Sequence, residues 1–198
     1  MHLPDEKVSG VVDLFERGLQ FPPKKRIQFF VCPVGLVGAG KSTVMKLLSE
    51  HLSLLRLSTD EMRKVLKEHG YDYDRARQLT LRVGENYARE GYRIGVDADC
   101  VDPEYRRHID ELAGELNVPV FYVHVNPPED FILNKLRTFK HTWLFRDGDD
   151  AVKNYRARKP LHADLKLPFI YTFDTSRNDL RRQLRECVEL IVSRGSMI

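Results

Sequence analysis

Apolar residues recur along this chain in two alternating rhythms. Short apolar runs at 27–32, 54–57, 93–96, 120–125 and 169–173 have the length of buried strands. Between them, apolar positions three and four apart predict helices over 42–52, 60–69, 74–90, 103–116, 128–139 and 177–193. A leading helix over 4–19 sets Val8, Val11, Val12, Phe15 and Leu19 on one side, and Phe21-Pro22-Pro23 ends it. Strands alternating with helices predict an α/β domain with a mostly parallel five-stranded sheet covered on both faces. In such sheets ligands gather where the strands end at their carboxyl side. The polar residues that follow the predicted strands are therefore the ones to read for chemistry.

One strand end stands out. The run Gly35-Leu-Val-Gly-Ala-Gly40-Lys41-Ser42 follows the first apolar run and opens the next helical stretch. It fits the phosphate-cradling pattern of a glycine, four residues, then Gly-Lys-Ser/Thr. Glycines let backbone amides close around an anion, and the helix start adds its dipole. Gly35, Gly38, Ala39, Gly40, Lys41, Ser42 and Thr43 are the candidate nucleotide contacts. Lys41 would reach the outer phosphates, and Ser42 would face a magnesium ion. This loop resembles that of the P-loop NTPases, and the resemblance implies a three-layer fold of the nucleotide-kinase type with ATP and Mg2+ as cofactors.

Two further strand ends carry acids. After the second run comes Ser58-Thr59-Asp60-Glu61-Met62-Arg63, where Asp60 and Arg63 share a helix face. Asp60 could take a proton from a substrate hydroxyl while Arg63 holds the phosphoryl group; a helix cap with an intrahelical ion pair accounts for the same spacing. After the third run, Val96-Asp97-Ala98-Asp99-Cys100 puts Asp97 where the magnesium partner of Ser42 should lie, and a structural turn is the alternative.

Residues 137–160 mix basic and aromatic side chains with Gly and Asp, the composition of a cover that closes over phosphates and excludes water. Arg137, Arg146 and Arg156 are its candidate arginines. The stripe Arg75, Arg82, Arg89, with Tyr71 and Tyr73 nearby, reads either as a solvated helix face or as a nucleic-acid track.

The bulk numbers narrow the setting. The 198 residues suffice for one domain over 1–198, with 42% hydrophobic and 31% charged residues and a formal charge of +3. Cys32, Cys100 and Cys187 lie far apart without metal-ligand spacing, and no histidine pair has it either. No stretch is apolar enough for a membrane span, so the cytoplasm is the expected location.

With the glycine loop, Asp60/Arg63 and the Asp97 segment in order, the chain resembles P-loop kinases that phosphorylate hydroxyl groups. It looks most similar to the polynucleotide kinases acting on 5′-hydroxyls and to the zeta-toxin and chloramphenicol phosphotransferase groups, over about residues 27–193. The resemblance implies that Asp60 is the general base and that Arg63 contacts phosphates. It implies that Asp99 and Arg106 help hold the acceptor, and that Thr175 and Ser176 lie in the loop against the adenine. The relatives' lid pattern is out of register here, at Lys135-Leu136-Arg137. Asn134-Lys135-Leu136-Arg137 lacks the aspartate of a guanine-reading motif, so the expected donor is ATP. The expected acceptor is a polynucleotide 5′-hydroxyl. The alternatives are a small metabolite or nucleotide sugar, or a switch module that binds nucleotide without transferring phosphate. Nucleic acid stays open as a partner, and no protein partner or antitoxin can be read from the sequence.

Overall fold

The computed structural model describes residues 1–138, 145–163 and 165–196. A short 3-10 turn at Asp5–Lys7 leads into α1 (Val8–Arg17), followed by β1 (Phe30–Val34), α2 (Lys41–Leu52), β2 (Leu55–Ser58) and α3 (Thr59–Glu68). Next come α4 (Ala76–Arg89), β3 (Ile94–Asp97), α5 (Pro103–Leu116), β4 (Val120–Val125) and α6 (Glu129–Thr138). The chain ends with α7 (Gly148–Arg158), α8 (Pro160–Ala163), β5 (Phe169–Phe173) and α9 (Leu180–Gly195).

The five strands form one sheet in the order β2-β3-β1-β4-β5, and every pairing is parallel. The side-chain alternation of a strand splits the core into two layers. Phe30, Cys32 and Val34 of β1 point into a cluster with α1, α3, α4 and α5. Val31 points the other way, into a cluster with α2, α6, α7 and α9. Every residue of β1 is buried, which is why its sequence reads as a run rather than an alternation. The three-layer α/β architecture is the expected one.

Local corrections have local causes. The first strand begins at Phe30 rather than at residue 27, and Gln28 just before it donates from its side chain to the carbonyls of Ala88 and Tyr92. The leading helix divides into a 3-10 turn and α1, and Gly18 closes it before Leu19. The last helix starts three residues later than its periodicity suggests, after a turn in which Arg177 N–H donates to Asp174 O. The expected lid, 137–160, takes in the end of α6, all of α7 and the first residue of α8, and its residues 139–144 lie outside the described residues. Asn134–Arg137 falls inside α6, so it forms no base-reading loop.

Candidate active site

The loop after β1 has the geometry its glycines allow. Gly38 and Gly40 sit at φ +82 and +98, in the left-handed region. A Cβ on Gly35 would stand 2.4 Å from the carbonyl oxygen of Val125, and one on Gly40 would stand 3.0 Å from Thr175. Thr175 Oγ1 donates to Ala39 O at 2.7 Å, which ties the segment after β5 to the loop. Ser176 turns back on Asp174. Lys41 Nζ donates to the loop's own carbonyls, Gly35 O at 2.6 Å and Leu36 O at 3.1 Å. Burial pushes its ammonium below the usual lysine range, while Asp99, Asp97 and Asp60 oppose that shift. An arriving polyphosphate would add to their effect.

Asp97 ends β3 directly beside the loop. Its Oδ1 accepts from Ser42 Oγ at 3.0 Å and its Oδ2 from Arg56 Nη1 at 2.6 Å. Burial raises its carboxyl above the ordinary range despite both partners. A seryl hydroxyl and a carboxylate converging at a phosphate loop are the hard oxygen donors that suit magnesium. Among the described residues no group of three His, Cys, Asp or Glu forms a protein-only metal cage.

Ser58 Oγ caps α3 by accepting from Glu61 N, so its first turn stands at the mouth of the cleft. Asp60 and Arg63 make the ion pair their spacing predicts, at 2.8 Å. Both line a cleft of about 350 Å³ together with Lys41, Ser42, Asp97 and Asp99. The pair is thus an intrahelical contact and a pair of cleft groups at once. Arg63 Nε is buried and has no hydrogen-bond partner among the described residues.

The opposite walls hold residues the sequence reading did not single out for this role. Tyr73 and Arg77 enter from the α3–α4 side, and Phe145, Asn154 and Arg158 from the lid. Arg77 donates to Asp102 at 3.1 Å and lies over the Tyr105 ring. Arg158 stands 3.7 Å from Asp99. Asp99 also accepts from Gly35 N–H and takes His162 Nε2 at 3.2 Å. Burial alone would raise this carboxyl, but His162, Lys41 and the Gly35 amide outweigh burial and hold it low. The signals in the sequence were slight. Arg158 lies four residues beyond Asn154 and three beyond the buried Tyr155. Arg56 is a lone cation in an otherwise apolar strand.

Four expected residues lie elsewhere. Arg106 donates to the carbonyls of Cys100 and Val101, locking the β3–α5 connection instead of facing the cleft. Arg137 is exposed at the end of α6. Arg146 is 83% exposed beside Asp147, and Arg156 is exposed on the outer face of α7. In the basic stripe, Arg75 is committed to Asp5 and Arg89 to Glu85 and Glu115. Arg82 is exposed and lines the groove between α4 and α5, which Arg75 also borders. The stripe is therefore no continuous track.

A phosphate loop and strand-end acids at one cleft of a five-stranded parallel sheet mark the fold and site of a P-loop kinase. The chain belongs to the AAA domain family, whose model matches residues 31–142. It is similar to a shikimate kinase of Dehalococcoides mccartyi, with 30% identity over 164 residues, 77% of this chain and 89% of that one. The solved APS kinase of Mycobacterium tuberculosis, in complex with AMPPNP and APS, shares the fold. Its TM-score is 0.56 at 19% identity, covering 86% of this chain and 99% of that one. The pneumococcal PezAT toxin–antitoxin structure shares it too, with TM-score 0.60, 13% identity and 96% coverage of each chain. The chain is a phosphotransferase acting on an alcohol group. No helix among the described residues is long and apolar enough to cross a membrane.

Proposed function

We propose that this enzyme transfers the γ-phosphoryl group of ATP to a hydroxyl of a small anionic metabolite, with magnesium required. The observation that carries this reading is the convergence of Arg63, Arg77 and Arg158 with Asp60 on one cleft beside Lys41. A cleft of about 350 Å³ has room for one small acceptor next to a γ-phosphate. Planar guanidinium groups suit carboxylate, sulfate and phosphate. Shikimate and APS, the acceptors in the names of two similar proteins, are both small anions. A polynucleotide acceptor draws no support from these relatives, and Arg75 and Arg89 are already paired on the stripe that would have carried it.

The roles follow from position. The amides of residues 35–40 and the Lys41 ammonium hold the phosphates, and Thr175 and Ser176 border the loop on the side expected to take the adenine. Ser42 and Asp97 would hold the magnesium ion, which would supply charge neutralisation for the phosphates. Arg63 fixes the orientation of the Asp60 carboxylate. Asp60 takes the acceptor's hydroxyl proton as that oxygen bonds to the γ-phosphorus and the bond to ADP breaks. Arg158 on α7 is placed to leave Asp99 and meet the charge on the transferring group. Arg77 and Arg63 grip the acceptor's anion.

Calorimetric titration with shikimate, in the presence of Mg-ADP, tests the anion reading. The neutral polyol myo-inositol serves as the control. Binding of shikimate that weakens on the order of tenfold in Arg77→Ala is the expected result. Equal binding of myo-inositol, or indifference to Arg77→Ala, would count against it.

A further inference from the structure

We propose that residues 1–17, which lie outside the phosphate-binding core, form a brace that positions the acceptor half of the cleft and leaves the nucleotide half untouched. This rests on reading the wall made by Tyr73 and Arg77 as the acceptor side.

The two halves are anchored differently. The nucleotide half is tied within the core, by Ser42 to Asp97, Gly35 to Asp99 and Thr175 to Ala39. The acceptor half hangs on α3, the turn at 69–75 and the first turn of α4. That turn closes partly on itself, with Gly70 N–H and Tyr71 N–H donating to Lys67 O and Leu66 O. Further ties of the turn run to the leading segment, while Arg77 beyond it is also held from α5 by Asp102 and the Tyr105 ring. Asp72 N–H donates to Met1 O at 2.8 Å. Arg75 Nη1 donates to Leu3 O at 3.2 Å and to Asp5 Oδ1 at 2.7 Å. Tyr73 and Arg77, the two cleft residues of this wall, flank Arg75 in sequence.

Packing points the same way. Leu3 is fully buried, and Val8, Val11 and Phe15 of α1 join one cluster with Met62 and Leu66 of α3 and Ala76 and Leu79 of α4. Met62 lies between Asp60 and Arg63 on the same helix. A segment that grips both the catalytic helix and the acceptor turn limits how far that wall can drift from the γ-phosphate. A wall free to drift no longer presents Tyr73 and Arg77 ready to bind, so the restraint matters for acceptor affinity as well as for folding. Arg75 is then a positioning residue: it acts on the acceptor through Tyr73 and Arg77.

The test uses the full chain with Arg75→Ala and Arg75→Lys. Asp5→Ala serves as a milder variant, because Asp5 is exposed and its loss removes one of the two acceptors of Arg75. Hydrogen–deuterium exchange, Mg-ADP affinity and the steady-state kinetics of shikimate phosphorylation are read together. The expected result for Arg75→Ala is faster exchange confined to residues 70–77, with 35–43 unchanged and ADP affinity kept. The KM for shikimate should rise about tenfold with kcat held within about twofold, and Arg75→Lys should recover most of the loss. Asp5→Ala should move in the same direction by less. Unchanged exchange at 70–77, or a fall in ADP affinity in step with the acceptor effect, overturns the brace. If shikimate is not phosphorylated at all, the acceptor reading suffers, while exchange and ADP affinity still decide the brace.

Discussion

Asp60 and Asp97 are both strand-end carboxylates at one cleft, yet their surroundings set them to different work. Asp60 is half-exposed and held by Arg63 on the same helix. It can meet an entering hydroxyl. Asp60→Asn should lower phosphoryl transfer by about 10²–10⁴-fold, the usual size of general-base catalysis, while Mg-ADP affinity stays within about twofold; single-turnover kinetics beside a binding titration checks both. Asp97 is buried, and the folded protein holds its proton more tightly than the unfolded chain does. Its ionised form is therefore a net cost to stability above the raised pKa. That cost fades as pH falls towards the unfolded value of about 3.9. Asp97 is also the 2.6 Å partner of the largely buried Arg56, so Asp97→Asn leaves that guanidinium without this carboxylate and should lower the melting temperature at pH 7 to 8 as well as cripple magnesium-dependent transfer. A variant more stable than wild type at neutral pH would contradict this. Asp99 works in the opposite sense: its carboxyl is held low, so the stability it adds is present above the unfolded carboxylate range and is lost as pH falls through its own.

At the scale of elements, the loop and its helix depend on backbone shape. Gly40→Ala would place a side chain at φ +98 against Thr175, and both strain and crowding oppose it. Nucleotide affinity in that variant should fall on the order of tenfold or more, measured by titration with Mg-ADP. The lid divides its arginines by face. Arg158→Ala should cut kcat by about 10²–10³-fold, and Arg137→Ala and Arg146→Ala should leave it near wild type. A large loss from either of the latter would show that the lid closes on a different arginine. Here sequence and structure part company for a physical reason. All five strands are visible as short apolar runs, β1 because it is buried on both faces and the half-buried edge strand β5 through its aromatic and β-branched residues, and β4 and β5 match even in their bounds. The loop was legible because only glycine tolerates its dihedrals and close approaches. α7 buries just Ala151, Val152 and Tyr155 in a polar stretch, too thin a stripe to fix its register. Arg158 and Arg77 could not be assigned from spacing, because their partners come from distant segments of the chain.

Across the whole molecule, the parallel sheet brings the loop after β1, the Asp97 end of β3 and the α3 turn after β2 to one edge, and α7 closes over them. The leading segment supports that edge from outside the nucleotide core. Fold and phosphotransfer chemistry are shared widely among such sheets, so the acceptor is decided by the few side chains that enter from α3, α4 and the lid. Three of these are arginines, Arg63, Arg77 and Arg158, paired with Asp60, Asp102 and Asp99 until nucleotide and acceptor arrive. The most direct measurement is transfer of label from γ-labelled ATP with magnesium, offered shikimate, other small hydroxy acids and a 5′-hydroxyl oligonucleotide side by side, in wild type and in Asp60→Asn. Label on a small hydroxy acid, absent from the oligonucleotide and lost in the variant, is the predicted result. Label on the oligonucleotide alone, or transfer undiminished in Asp60→Asn, would contradict the account.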